Sequence, residues 1–350
     1  MTFRILMLNT AMTALIALAA PVQLSAQTLI TFDPPNSTYT QVNGITQAGE
    51  ITGFFCDSVG CHGFLRAANG TFISFDPQGS AYTYPNSITQ AGAITGFYED
   101  ASFVTHGFLR AAKGAITTID ATPTSNYTNA TSINPGGMIT GYWGDAGPFG
   151  PTNCFLRAAD GTITTFNPPG AITSYCLSIN NDGVIAGYYL DASSTSHGFV
   201  RAVDGAITTI DVPVGGTGYP AGTAANAINQ AGAITGWYTE PNYVSHGFLR
   251  AADGTLTTFD PPNSLNTYPG SINPAGEIAG YFCDSMACHG FLRSAKGTFT
   301  TIDAPNTINT FAFSNNNQLP VGINPAGTIA GNYFDQDGFF FVSHGFVWTP

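Results

Sequence analysis

Apolar residues in this chain fall in short runs that alternate with Thr, Ser or Asn, and no window shows a sustained 3.6-residue period. Such runs predict strands, and helix content is expected to be close to nil. Three kinds of run recur in fixed order. One is Gly-x-Ile-x-Gly-aromatic, as in Gly49–Phe54. The next is His-Gly-Phe-Leu-Arg, and the third is Thr-Thr-Phe-Asp. Each register occurs seven times, with substitutions in some copies, and the His register returns every 43 to 55 residues, at His62, His106, Asn153, His197, His246, His289 and His344. A short strand ending in Ile precedes each Gly-x-Ile run, so every unit offers four strands. The turns agree: Asn134-Pro135-Gly136-Gly137 fits a type I turn, and Asn69-Gly70 and Asp204-Gly205 are tight hairpin signals.

Four strands in a unit of this length match a β-propeller blade, and a β-solenoid rung is usually about half as long. The phase of the repeat then decides the ends. The last unit stops at Trp348-Thr349-Pro350 without its fourth strand, while Thr28–Asp33 is a fourth strand with no unit before it. Docking one into the other leaves no open sheet edge. The expected fold is all-β: a seven-bladed β-propeller of four-stranded blades, its ring closed by the N-terminal strand, forming one domain over residues 27–350. The tight turns 1–2 and 3–4 then lie on one face. The connections 2–3 and 4–1, which carry all the length variation, lie on the other, and that face is expected to be the working one.

Charge narrows the function. Only 9% of residues are charged, and the formal net charge is −12. A chain this acidic, without a basic stripe, is not expected to bind nucleic acid or an anionic membrane. Residues 1–26 read as a secretory signal: Arg4, an apolar core at Ala11–Ala20, and Leu24-Ser25-Ala26 before Gln27. No later run approaches the ~20 apolar residues of a membrane span. A secreted, periplasmic or cell-envelope location is expected, with a monomeric protein. Export favours disulfides for the six cysteines. Cys56/Cys61 and Cys283/Cys288 share one spacing in two copies and are expected to form local bridges. Cys154 and Cys176 pair by elimination. A zinc site is the rival reading, and it lacks a second ligand pair at fixed spacing.

All six histidines stand at one repeat position, and Arg66, Arg110, Arg157, Arg201, Arg250 and Arg293 at another. An acidic residue precedes each His register: Asp57, Asp100, Asp145, Asp191, Glu240, Asp284 and Asp335. A ring of carboxylate–imidazole pairs for metal binding or acid–base work is one reading. A hydrogen bond that pins each 2–3 loop is the other, and sevenfold recurrence favours it. Catalysis needs groups whose pKa values are pushed apart, and a repeat gives every copy similar surroundings. The arginines are expected to pair with the fourth-strand Asp33, Asp76, Asp120, Asp211, Asp260 and Asp303, with Asn167 as the exception.

Aromatic residues offer the ligand-binding candidates: Phe149, Tyr219, Tyr243 and the run Phe339, Phe340, Phe341. The repeated tyrosines of the 4–1 loops, among them Tyr39, Tyr84, Tyr175 and Tyr268, either join them or pack between blades. No catalytic motif and no metal site is identified, and no cofactor is expected. Asp335–Gly338 and Asn180–Gly183 carry fragments of a calcium-loop pattern without its terminal Glu.

With its recurring His-Gly-Phe, Gly-Thr-x-Thr-Thr-Phe-Asp and Ile-Asn-x-x-Gly-x-Ile-x-Gly-Tyr, the chain resembles the bacterial extracellular repeat family named HAF for its His-Ala-Phe signature. It departs in carrying Gly for Ala at Gly63, Gly107, Gly198, Gly247, Gly290 and Gly345, and Asn153-Cys154 in the third unit. The resemblance implies export and a repeat fold and brings no activity. The expected function is non-catalytic binding of a glycan or extracellular protein. The alternatives are a polysaccharide hydrolase or lyase with an axial site, and a structural envelope protein.

Overall fold

The computed structural model describes residues 27–147, 149–213, 222–304, 309–311, 322–337 and 340–350. The signal segment 1–26, Tyr219, Phe339 and the side chains of Phe340 and Phe341 lie outside the described residues. Every regular element among those described is a strand.

The first unit shows how a unit is built. Tyr39–Ile45, Ile51–Cys56, Cys61–Arg66 and Phe72–Phe75 pair in that order, all antiparallel. The same order returns in every later unit, through Asn266–Ile272, Ile278–Cys283, Cys288–Arg293 and Phe299–Ile302. In the last, Ile329–Asp337 pairs with Phe340–Thr349, and the partner across the outer edge of Phe340–Thr349 is the N-terminal strand Thr28–Phe32, from Thr28↔Thr349 to Phe32↔Gly345. The orphan fourth strand therefore completes the last antiparallel set.

The His-Gly-Phe motif fills the core. Phe64, Phe108, Phe155, Phe199, Phe248, Phe291 and Phe346 are all fully buried, each contributing about 2–3 kcal/mol of apolar transfer. The core lies between units rather than within them. Ile210 and Val212 of the fourth unit pack with Ile234 and Phe248 of the fifth, and Ala330 of the last packs with Val42 and Phe64 of the first.

A β-bulge interrupts the first strand of each of the first six units, between Val42 and Gly44, for example, and between Pro85 and Ser87. The bulged residue is re-aimed toward the next unit: Asn43 Nδ2 donates to the Pro85 carbonyl (2.6 Å), Asn86 Nδ2 to that of Ala130 (3.0 Å) and Asn226 Nδ2 to that of Pro269 (2.9 Å). The bulge also explains the second Gly of Gly-x-Ile-x-Gly, because a Cβ at Gly53 would overlap the Gln41 carbonyl.

A second ladder runs along the 1–2 turns. Asn134 Oδ1 accepts from its own turn, at Met138 N, while Nδ2 donates to the Asn180 carbonyl of the next unit. Asn180, Asn229 and Asn273 repeat the step, and Asn324 Nδ2 donates to the Thr46 carbonyl, from last unit to first. Thr46 and Thr89 hold their own turns in the same way and have no amide to pass on.

Candidate functional site

The loop end, where connections 2–3 and 4–1 emerge, gathers the histidines and most of the carboxylates. In an antiparallel hairpin the start of the third strand lies level with the end of the fourth. His62 Nδ1 accordingly sits 2.8 Å from Asp76 Oδ2. The same pairing joins His106 to Asp120, His197 to Asp211, His246 to Asp260, His289 to Asp303 and His344 to Asp33, at 2.7–2.9 Å. A carboxylate only accepts, which places the imidazole proton on Nδ1. Each ring lies against a second-strand aromatic, 5.0 Å between centroids for Tyr189–His197 and Tyr333–His344. The far nitrogen, Nε2, faces the 2–3 loop carboxylate at 3.3–3.8 Å, an electrostatic contact too long for a good hydrogen bond.

That loop carboxylate has a structural role of its own. Asp100 Oδ1 accepts the backbone N–H of Ser102 and Val104, and Asp191 Oδ1 those of Ser193 and Thr195. Asp57 and Asp284 do the same. These backbone bonds hold all four carboxyls below the usual range, with the facing histidine a smaller contribution. The loop-pinning reading of these acids is the one the geometry supports. Three fourth-strand carboxylates also tie one unit to the next: Thr40 Oγ1 donates to Asp33 (2.5 Å), Thr83 Oγ1 to Asp76 (2.6 Å) and Thr267 Oγ1 to Asp260 (2.6 Å).

The arginine expectation is overturned. No Arg or Lys among the described residues lies within ion-pair distance of a carboxylate; the fourth-strand Asp belongs to histidine. Arginine closes the third strand at its opposite end, level with the start of the fourth (Arg66↔Phe72). There it reaches back to the preceding unit. The guanidinium carbon lies 4.6–4.8 Å from a ring centroid for Arg66 on Phe32, Arg110 on Phe75, Arg201 on Phe166 and Arg293 on Phe259. Arg157, Arg250 and Trp348 follow units whose fourth strand ends in Ile119, Ile210 and Ile302. Burial pushes the arginine pKa down at Arg66, Arg110 and Arg293, where Nε also has no hydrogen-bond partner.

The third unit shows what the histidine does by lacking it. Asn153 replaces His and Asn167 replaces Asp, and Asn167 Nδ2 donates to Asn153 Oδ1 at 2.5 Å. The two departures are one pair exchanged for another. That joint loss was the signal in the sequence for the His–Asp pairing.

Three disulfides form as expected: Cys56–Cys61, Cys283–Cys288 and Cys154–Cys176. The last crosses from the third unit to the fourth. Cys154 occupies the Gly position of His-Gly-Phe, where Gly107 and Gly198 face Ala130 and Ala225 of the next unit, and Cys176 stands where those alanines do.

The repeated tyrosines pack between units. Tyr84 meets Phe54 of the preceding unit edge-on at 4.9 Å and stacks on its own Phe97 at 4.8 Å. Tyr175 does likewise between Tyr142 and Tyr188, and Tyr268 between Trp237 and Tyr281. One member of this belt breaks the repeat. Glu99 stands where the other units carry Cys56, Gly144, Leu190, Thr239, Cys283 and Phe334. Burial raises its pKa, and burial together with Glu99 and Tyr82 pushes the Tyr84 hydroxyl up to about 12.

Of the ligand-binding candidates, Phe149 is fully exposed and Tyr243 is 66% exposed, each at a 2–3 loop tip. Phe103, which sequence reasoning missed, holds the corresponding place in the second unit at 74%. Val59 and Met286 do so in the first and sixth. Phe103, Ser194 and Tyr243 share a left-handed backbone, with φ of 61°, 62° and 67°, an uncommon state for bulky side chains. No group of three or more metal-ligating side chains comes together among the described residues.

Neither a protein-family model nor a curated protein matches the chain. Solved structures do. Virginiamycin B lyase from Staphylococcus aureus matches with a TM-score of 0.57 at 12% identity, over 93% of this chain and 100% of that one. The β-propeller domain of the Trilobed protease from Pyrococcus furiosus, described as having an open velcro topology, matches with a TM-score of 0.59 at 10% identity, over 89% and 95%. The fold is β-propeller-like. At such identities the likeness extends to the fold alone: an all-β chain of four-stranded antiparallel sheets. Three disulfides are present, and no helix among the described residues is long and apolar enough to cross a membrane.

Proposed function

We propose that the chain is a secreted or envelope-associated, seven-bladed β-propeller of the HAF kind in a His-Gly-Phe variant, and that it acts as a non-catalytic binding module through its loop end. Closure of the ring is supported by the Thr28–Phe32 pairing and by hydrogen bonds from last unit to first, including Val42 N to Asn332 Oδ1 (2.7 Å) and Ser343 Oγ to the Thr40 carbonyl (2.7 Å). The observation that carries the binding reading is the set of exposed apolar tips on loops held by side-chain oxygens: Asp100 Oδ1 accepts the Val104 N–H, Asn126 Oδ1 that of Gly147 and Asn242 Oδ1 that of Val244. Phe103, Phe149 and Tyr243 face solvent while their loops are held at the base, a rigid presentation that lowers the entropy lost on binding.

The test compares the protein with Phe103→Ser/Phe149→Ser/Tyr243→Ser, the serine taken from Ser194, against arrayed glycans and extracellular proteins. Saturable binding lost in the variant, with no product released, is the expected result. Binding untouched by the variant sinks the loop-end assignment.

Glu99 supports a second reading, an enzyme acting on polysaccharide at the axial belt. A glycosidase normally uses a pair of carboxyl groups. Glu99 is the one carboxylate at its register, and its neighbour Asp100 is engaged with its loop and His106. Product release abolished by Glu99→Gln would move the assignment to catalysis.

A further inference from the structure

Charge in this molecule is segregated by end. All but six of the 21 acidic residues stand at or next to the loop end; the six are Glu50, Asp160, Asp182, Asp204, Asp253 and Glu277. No Lys or Arg of the described chain stands there. Arg66, Arg110, Arg157, Arg201, Arg250 and Arg293 close third strands at the opposite, turn end, and Lys113 and Lys296 sit in 3–4 turns. The loop end therefore bears more than the whole net negative charge, and the turn end, where basic residues outnumber acidic ones, is slightly positive.

Apolar exposure leans the same way: Ile30 and Ile73 lie on fourth strands and Val203 in a 3–4 turn, and the other exposed large apolar side chains gather at the loop end. Of the large apolar side chains exposed among the described residues, Val59, Phe103, Phe149, Tyr243 and Met286 are 2–3 loop tips, and Ile172 and Leu265 belong to the neighbouring 4–1 connections. Exposed apolar groups set among like charges mark interaction surfaces. Val59 and Met286 present no flat face for a sugar ring, and methionine adapts to varied apolar partners.

We propose that the loop end is a docking surface for a cationic protein segment that also carries apolar side chains. This rests on the loop-end binding reading above and specifies its partner. Lysine or arginine on the partner answers the ring of carboxylates, and its apolar residues cover the tips. The carboxylates steer the approach. The tips hold the complex once formed, because desolvated apolar anchors carry most of the affinity. Anionic polymers are excluded by the same field.

The test is fluorescence anisotropy with a labelled Lys/Leu peptide, against a Glu/Leu peptide of the same pattern and a Lys/Ser peptide. Saturable binding of Lys/Leu, roughly tenfold or more tighter than of Lys/Ser, and none of Glu/Leu, is expected. Affinity should fall as salt rises from about 0.05 to 0.3 M, as the Debye length shortens. Phe103→Ser/Phe149→Ser/Tyr243→Ser should lose roughly tenfold or more with its circular dichroism unchanged. Asp145→Asn alters charge alone, since that exposed acid stands in the unit without histidine, and should weaken binding about twofold. Equal binding of Glu/Leu, indifference to salt, or full affinity in the triple variant overturns the proposal. A neutral polysaccharide that binds and is lost in the triple variant, with Lys/Leu failing to bind, overturns the cationic partner and leaves loop-end binding standing. Failure of every probe and every arrayed ligand sinks both.

Discussion

The junction between the third and fourth units and the junction between the last and the first face the same problem, holding two neighbouring sheets together. They solve it in opposite ways. The first is stapled covalently by Cys154–Cys176, both sulfurs fully buried. The second has no crosslink. It relies on the five-residue strand Thr28–Phe32, which His344 helps hold in the last sheet through Asp33 before the chain runs on into the first unit, and on Asn324, Asn332 and Ser343 reaching into the first unit. The staple occurs in the unit that lost its His–Asp pair, whereas the uncrosslinked junction keeps its pair. A repeat protein tolerates different fasteners at equivalent seams as long as each seam has one.

The largest effect should come from deleting residues 27–33. The deletion uncovers the edge of Phe340–Thr349 and removes Phe32 from Arg66 and Gly345, and the expected loss approaches the whole stability of a typical domain, about 5–15 kcal/mol. Chemical unfolding would show it as a broadened, non-cooperative transition. Next, Cys154→Gly/Cys176→Ala restores the Gly–Ala contact seen at Gly107/Ala130 and Gly198/Ala225. The variant should fold and lose about 3 kcal/mol from release of the cross-linked loop, measured against wild type under oxidising conditions. Retained stability would mean that the contact alone closes the seam.

A smaller effect tests the histidine. His344→Asn alone takes the donor from Asp33 Oδ2, while Oδ1 keeps Thr40, and should cost about 1 kcal/mol after allowance for solvent screening. Adding Asp33→Asn recreates the Asn153–Asn167 pair and should recover most of that loss. A double-mutant cycle with zero coupling energy would show that the pair does not hold the seam.

The same pair makes the seam sensitive to pH. Burial lowers the His344 pKa, but the bond and charge of Asp33, with Asp335, outweigh it and leave the value raised above its ordinary 6.5. Tyr333 is the ring stacked on it. A raised folded value means that stabilisation is full below about 6.5 and is lost as pH rises through the folded pKa. The lowered carboxyls Asp57, Asp100, Asp191 and Asp284 work in the other direction, stabilising above the ordinary carboxylate range and losing effect in acid. Stability should therefore peak at mildly acidic pH. In Asp33→Asn/His344→Asn the decline toward neutral pH should flatten, as melting curves from pH 5 to 8 would show.

The smallest effect is a gain. Thr46→Asn supplies the missing amide of the turn-end ladder, keeps the cap on Glu50 N, and should stabilise by about 0.5–1 kcal/mol.

Much of this was legible in the sequence. The strand order, the three disulfides and the docking of the orphan strand follow from alternation, spacing and phase, which are local or counted along the chain. Matching charge to charge points the fourth-strand Asp at arginine, whereas counting along the hairpin points it at histidine. Asp76 lies level with His62, and Arg66 is four residues farther along the strand, roughly 13 Å away. The arginines' targets sit on another unit, beyond any local spacing rule. Even so, Phe or Ile before the fourth-strand Asp tracks where an arginine finds a ring. Phe103 was overlooked because its loop is no longer than its neighbours, and its exposure follows from a left-handed backbone that composition does not announce.

The N-terminal strand has a consequence for how the molecule can be held. Thr28 and Thr349 are partners across one ladder, and both lie at the turn end. Whatever precedes the one or follows the other leaves from the side opposite the loops. A tether, fusion or neighbouring module attached at either terminus thus points the loop end outward. Linking the two ends and reopening the chain at Asn69-Gly70 would preserve every strand pair in a circular permutant.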